Sequence, residues 1–237
     1  MIQRERPAAA IFDVDGVLLA SPHEQAWRGA LSGFADPAGF TTAVYQAEVA
    51  GKPRVAGAFA ALRALGVADA DRQAPLYAAA KQALLETLIR SGAVEAFPDA
   101  LRLAAAIAAL GWPMAVASSS RNANAMLQPV RLPDGRSLLA LFAGNVCGRS
   151  FHEGKPNPEI FLAAASELRV DPIRCLVIED APSGIEAARA GNMTALGIAR
   201  LHDDTLLQQA GADLVVDSLD DVDLEALAAG RLGVRPS

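Results

Sequence analysis

Five short apolar runs, at residues 8–12, 114–117, 175–178, 194–198 and 213–216, punctuate the chain. Each is too short for a helix and too continuous for a sheet with one wet face, so each reads as a strand buried on both sides. Stretches with apolar positions three to four apart separate them, at residues 100–110, about 122–127, 158–168, a segment reaching 190, 204–210 and about 224–227. Such alternation predicts a parallel sheet with helices on both faces. Between the first and second runs the pattern differs: from His23 to about Arg90 it is helix after helix, with Ala26, Trp27, Ala30 and Leu31 on one apolar face and further faces over 55–65 and 76–89. The expected α/β architecture is a Rossmann-like parallel-sheet core of residues 1–20 and 93–237, with an all-helical cap of residues 21–92 inserted after the first strand. Residues 129–136 read as a turn-rich surface excursion with Pro133-Asp134-Gly135 at its tip.

Polar groups gather where the apolar runs end. Asp13 and Asp15 close the first, Ser118 to Ser120 the second, and Glu179 and Asp180 the third. In open parallel sheets ligands bind outside the carboxyl ends of the strands, so these groups converge on one rim. Two carboxylates this close raise each other's pKa unless a cation lies between them, which points to a metal-dependent site with one Asp as nucleophile and the other as acid/base. Asp-x-Asp-Gly is also good turn chemistry, and Asp180 also suits the N-cap of the helix that follows. An all-oxygen acidic set matches a hard divalent ion, Mg²⁺ where phosphate is handled. Lys155, just before a helix with Asn157 as N-cap and Pro158 as first helical residue, supplies a cation near that rim.

Composition narrows the partners. The chain of 237 residues is 52% hydrophobic and 20% charged, ample for a sizeable core. Its 21 basic and 27 acidic residues leave a net charge of −6, so neither nucleic acid nor an anionic membrane is expected, and a phosphorylated substrate must be met by local cations. The first seven residues lack the apolar core of a signal peptide, giving a cytoplasmic expectation. Cys147 and Cys175 are read as reduced, buried small residues. No amphipathic stripe is left over, so a monomer is expected.

Taken in order, Asp13-Val14-Asp15-Gly16-Val17, a strand ending in Ser118, Lys155-Pro156 and Glu179-Asp180 resemble the four motifs of the haloacid dehalogenase superfamily of phosphotransferases, over nearly the whole chain. The resemblance implies that Asp13 attacks phosphorus to form an aspartyl phosphate and that Asp15 protonates the leaving oxygen. It implies Mg²⁺ on the Asp13 carboxylate, the Asp15 carbonyl, Glu179 and Asp180, with Ser118, Ser119 and Lys155 on the transferring group. Within the superfamily the chain is most similar to the β-phosphoglucomutase-like branch. Ser118-Ser119-Ser120-Arg121-Asn122 is similar to its Ser-x-Ser-Lys-Asn segment, with Arg121 in place of the lysine. Gly51-Lys52-Pro53-Arg54 resembles its cap loop, Lys81-Gln82 a cap Lys-Asn pair, and His23 with Trp27 its His-x-x-x-Trp spacing. By that likeness Lys52, Arg54, Arg121 and Asn122 meet the substrate, a small phosphorylated sugar, while His23 and Lys81 hold the acid/base Asp until the cap closes. The link from Asp13 to His23 is about two residues shorter than in the mutases, and Ala20-Ser21 replaces the usual Asp-Thr. Mutase and sugar-phosphate phosphatase therefore both stand, and intact Asp13, Asp15, Lys155 and Asp180 weigh against a catalytically idle phosphate-binding protein.

Overall fold

Ala9–Phe12 forms the buried strand β1, and its side chains divide between two apolar layers. Ala10 and Phe12 enter one and Ala9 and Ile11 the other, because successive strand residues point to opposite faces. The same division recurs in β6 (Cys175–Glu179), where Leu176 and Ile178 oppose Cys175 and Val177. With β4 (Met114–Val116), β5 (Gly144–Asn145), β7 (Thr194–Ile198) and β8 (Leu214–Val216), these make a six-stranded sheet in the order β5-β4-β1-β6-β7-β8. Every pairing in it is parallel. The order turns outward in both directions from β1, and the crevice at such a switch point is where ligands enter. The computed structural model describes residues 6–236; the first five residues and Ser237, counted with the core in the sequence reading, lie outside the described residues.

Among the described residues six α-helices belong to this part of the chain: α5 (Pro98–Ala109) leads into β4, and α6 (Ala123–Leu127), α7 (Glu159–Leu168), α8 (Pro182–Ala190), α9 (Asp204–Gln209) and α10 (Leu224–Ala228) follow β4 to β8 in turn. Helix α7 begins one residue later than the sequence suggests. Pro158 has no N–H to donate, and the Asn157 side chain accepts instead from the Glu159 amide at 3.0 Å. Residues 129–136 are tied back by a bridge from Arg131 to Ser137, and Leu132 is buried in the sheet's apolar layer.

The helical insert comprises α1 (His23–Gly29), α2 (Thr42–Val44) running into a π-helical turn Tyr45–Val49, α3 (Arg54–Ala64) and α4 (Ala70–Arg90). These elements have their own apolar cluster, built on Trp27, Leu31, Phe40, Leu62 and Tyr77 and separate from both layers of the sheet. The chain enters and leaves them through a two-stranded antiparallel ribbon, β2 (Leu19–Ala20) against β3 (Glu95–Ala96). Two-residue strands carry no alternation to read, which is why the sequence pattern does not announce this ribbon. No helix among the described residues is long and apolar enough to cross a membrane.

Candidate active site

Strands β1, β4 and β6 deliver Asp13, Ser118 and Glu179 side by side beneath the helical insert. Lys155, fully buried, donates from Nζ to Asp13 Oδ1 at 2.5 Å and also to Glu179 Oε1. Its ammonium lies 5.0 Å above the Phe161 ring. Glu179 is fully buried, and its other oxygen accepts from the amides of Asp180 and Ala181, both at 3.0 Å. Helix α8 is flanked at its start by Ala181, with no side-chain cap, so Asp180 is not used as an N-cap.

Burial pushes the Asp13 carboxyl up to about 7, with Glu179 and Asp15 adding to the rise against the opposing pull of Lys155. Burial, then Glu179, drives Asp180 well above the usual carboxylate range. Lys155 is held above its ordinary value despite burial, because Asp13 and Glu179 favour the ammonium. Oxygens of Asp13, Glu179 and Asp180 all lie within 4.8 Å of one another. Anions packed this closely with one ammonium among them are short of positive charge, and an all-oxygen donor set fits a hard divalent cation. The loop after Asp15 closes tightly on this group: Gly16 has φ +86°, and a Cβ there would lie 1.8 Å from Asp180 Oδ2.

Asp15 is handled by a second set of side chains. Its Oδ2 accepts from the Ser118 hydroxyl at 3.2 Å. Its Oδ1 faces His23 Nε2 at 3.4 Å, and both atoms are buried with no hydrogen-bond partner. Behind His23, Lys81 Nζ lies 2.9 Å from Nδ1 and 4.7 Å above the Trp27 ring. Burial lowers His23 to about 4 and Lys81 to about 7.

A cavity of about 390 Å³ joins these groups to the insert. Asp13, Asp15, Ser118, Lys155 and Asp180 line it from the sheet side of the chain, together with Arg121 from the turn after β4, and Lys52, Arg54 and Lys81 line it from the insert. Arg54 is pushed down by burial and by the positive charge of Arg121, so two guanidinium groups that feel each other line the same cavity. Lys52 donates to the Glu48 carbonyl at 2.5 Å. Ser119, expected on the phosphate, donates to the Gly51 carbonyl at 3.3 Å, and Ser183 donates to the neighbouring Ala50 carbonyl at 2.8 Å. Asn122 exchanges hydrogen bonds with Gln82 of α4, at 3.2 and 3.4 Å. The cavity also holds Tyr45 and Arg149, which the sequence reading passed over. Arg149 follows β5, whose two residues are too few to mark a strand end; Tyr45 sits in a π-helical turn, which leaves no period of 3.6 to read.

A doubly covered parallel sheet with an acidic cluster and a buried lysine at its switch point, roofed by a helical insert, defines a phosphate-handling α/β enzyme. The family model for haloacid dehalogenase-like hydrolase matches residues 7–192, and the chain belongs to that family, in its β-phosphoglucomutase-like branch. It is 33% identical to a β-phosphoglucomutase of Mycobacterium bovis, over 91% of each chain. It is 34% identical to the fructose-1-phosphate phosphatase YqaB of Escherichia coli, over 82% of this chain and 97% of that one. Among solved structures, an archaeal β-phosphoglucomutase from Pyrococcus sp. strain ST04 superposes with a TM-score of 0.71 at 28% identity, covering 94% of this chain and 99% of the other.

Proposed function

We propose that the chain is a Mg²⁺-dependent phosphotransferase working through an aspartyl phosphate on a small phosphorylated sugar, in the manner of a β-phosphoglucomutase, with residues 21–92 as cap over a core of 1–20 and 93–237. The observation that carries this reading is that one cavity is lined by Asp13 and Lys155 and also by Arg54 and Arg121. A sugar bisphosphate presents two anionic groups, one for the Asp13 and Lys155 cluster and one for the guanidinium groups.

In the first half-reaction an Asp13 oxygen bonds to phosphorus, the bond from phosphorus to the sugar oxygen breaks, and Asp15 gives that oxygen its proton. In the second, Asp15 takes the proton of the incoming hydroxyl as that oxygen attacks the aspartyl phosphate. Lys155 and the Ser118 hydroxyl hold the transferring group, while His23, backed by Lys81, restrains Asp15. Asp13, Asp180, the remaining capacity of Glu179 and the Asp15 carbonyl would hold Mg²⁺, which when bound neutralises charge on the phosphoryl oxygens. Phosphoryl transfer depends on such positioning and charge neutralisation. The cap decides the acceptor: with water excluded a sugar hydroxyl attacks, otherwise water does. The similarity to the fructose-1-phosphate phosphatase favours a second reading, a sugar-phosphate phosphatase using the same core residues. A cytoplasmic monomer completes the proposal.

Phosphorus NMR with Mg²⁺, β-glucose 1-phosphate and a trace of glucose 1,6-bisphosphate tests it. Glucose 6-phosphate without free phosphate is the expected result, and steady release of phosphate selects the phosphatase. Activity undiminished in Asp13→Asn overturns both.

A further inference from the structure

We infer that Arg200 is a positioning residue for proton transfer, fixing the loop that carries Asp15; the inference rests on the reading of Asp15 as the acid. Arg200 follows β7 and belongs to none of the motifs or cavity walls above. Its Nε reaches the Gly16 carbonyl at 3.3 Å and its Nη2 the Val17 carbonyl at 3.4 Å, the two carbonyls directly after Asp15. The same guanidinium grips Asp99 with both ends of its fork, at 2.7 and 3.0 Å, and stacks 3.9 Å from the Phe97 ring.

Asp99 is itself immobilised. It accepts from the Leu219 amide at 2.9 Å, the Ala100 amide at 2.8 Å and the Ser218 hydroxyl at 3.3 Å. The Arg200 hydrogen bonds and the Leu219 amide outweigh burial and hold Asp99 below its usual value, so it stays ionised. A guanidinium fixed on an ionised carboxylate that accepts five hydrogen bonds is a rigid anchor. From it, Arg200 touches both chain segments that lead to the cap: Gly16 and Val17 lie in the outgoing segment and Phe97 in the returning one. The Phe97 amide donates to the Leu18 carbonyl at 3.0 Å, and the Gly16 amide to the Leu19 carbonyl at 2.8 Å. The loop is thus clamped between Asp180, against which Gly16 has no room for a Cβ, and Arg200 on its carbonyl side. A displacement of about 1 Å in a reacting group costs on the order of 100-fold in rate, which makes a backbone clamp beside the acid consequential.

The leaving group reports the role. A sugar oxygen must be protonated as it departs, whereas 4-nitrophenolate is stable without a proton. A residue acting through Asp15 is therefore felt with the sugar ester and hardly at all with the aryl ester. Single-turnover cleavage of β-glucose 1,6-bisphosphate and of 4-nitrophenyl phosphate, with Mg²⁺, should be compared in wild type, Arg200→Met, Arg200→Lys and Asp99→Asn. Arg200→Met is expected to slow the sugar ester by ~10- to 100-fold more than the aryl ester. Arg200→Lys should recover part of that difference, and Asp99→Asn should reproduce a weaker form of it. If Arg200→Met does not fold, the other two variants carry the same comparison. Equal losses on both esters, or none, in a protein whose wild type cleaves both would overturn the inference alone. A wild type inert on both esters would overturn the reading of the site, and the inference with it.

Discussion

Replacing Lys155 by Met keeps an unbranched apolar stem of similar length and deletes the ammonium that lies between Asp13 and Glu179. At an effective dielectric of 20, the 2.5 Å contact with Asp13 amounts to roughly 6–7 kcal/mol of gross Coulomb energy, with a comparable amount from Glu179. Desolvation of a buried ammonium offsets several kcal/mol of this, and removing one partner of a buried ionic group costs about 3–5 kcal/mol net. For a chain of this length that is a fall of roughly 6–20 °C in Tm. The pH dependence has a definite sign. Asp13 already titrates near 7, and loss of Lys155 removes the influence that lowers it. A carboxyl whose folded pKa is raised contributes stability that is fully present below its unfolded value and is lost as pH rises through the folded value. The deficit of Lys155→Met should therefore be smallest near pH 4–5 and grow through pH 7 and above. Thermal unfolding in EDTA across pH 5–8.5 measures it. A shift under about 2 °C at pH 8, or a deficit that deepens on acidification, would refute the account of Lys155 as the charge that makes Asp13 and Glu179 tolerable neighbours.

Gly184→Ala places a Cβ 2.0 Å from the Glu179 carboxyl, so although helix propensity alone predicts a gain of about 1 kcal/mol, a net loss of about 1–3 kcal/mol is expected by urea unfolding, together with weaker Mg²⁺ binding by calorimetry; a more stable variant with unchanged Mg²⁺ affinity contradicts this. Lys81 has a folded pKa near 7, below its unfolded value, so it favours unfolding while protonated, and wild-type stability should rise between pH 7 and 10 by several kcal/mol from this group. Lys81→Met should flatten that rise, and urea midpoints that climb equally in both proteins would show that Lys81 is not the cause.

The parts of the molecule that sequence reveals are those held by periodicity or by a chemical contradiction. The strands holding Ile11, Val177 and Leu196 are apolar on both faces because both faces are covered, and the carboxylates at their ends stand out for lack of any structural use. Partnerships across long sequence separations are not visible in this way. The Ser119 hydroxyl meets the Gly51 carbonyl, a contact set by where the insert sits on the sheet and invisible in a linear reading. Glu179 was expected as a metal ligand, yet its oxygens also carry Lys155 and two amides, a load that depends on the turn into α8. Arg200 and Asp99 look like ordinary surface charges in a linear reading. Their 101-residue separation closes only when β7 and α5 are brought together.

The loop before α3 is held to the sheet side of the molecule by its main chain: Ser183 and Ser119 donate to the carbonyls of Ala50 and Gly51, which every residue type possesses. On the proposed reading of Lys52 and Arg54, grip and selectivity are written in different atoms. Lys52 and Arg54, the next side chains along, can be exchanged by mutation without erasing the two contacts that seat the loop. If the proposed function holds, a lineage can change its phosphorylated substrate while keeping the two main-chain contacts that seat this loop. The variation most informative about substrate choice in related chains should then concentrate on those side chains, with hydroxyls retained beneath them.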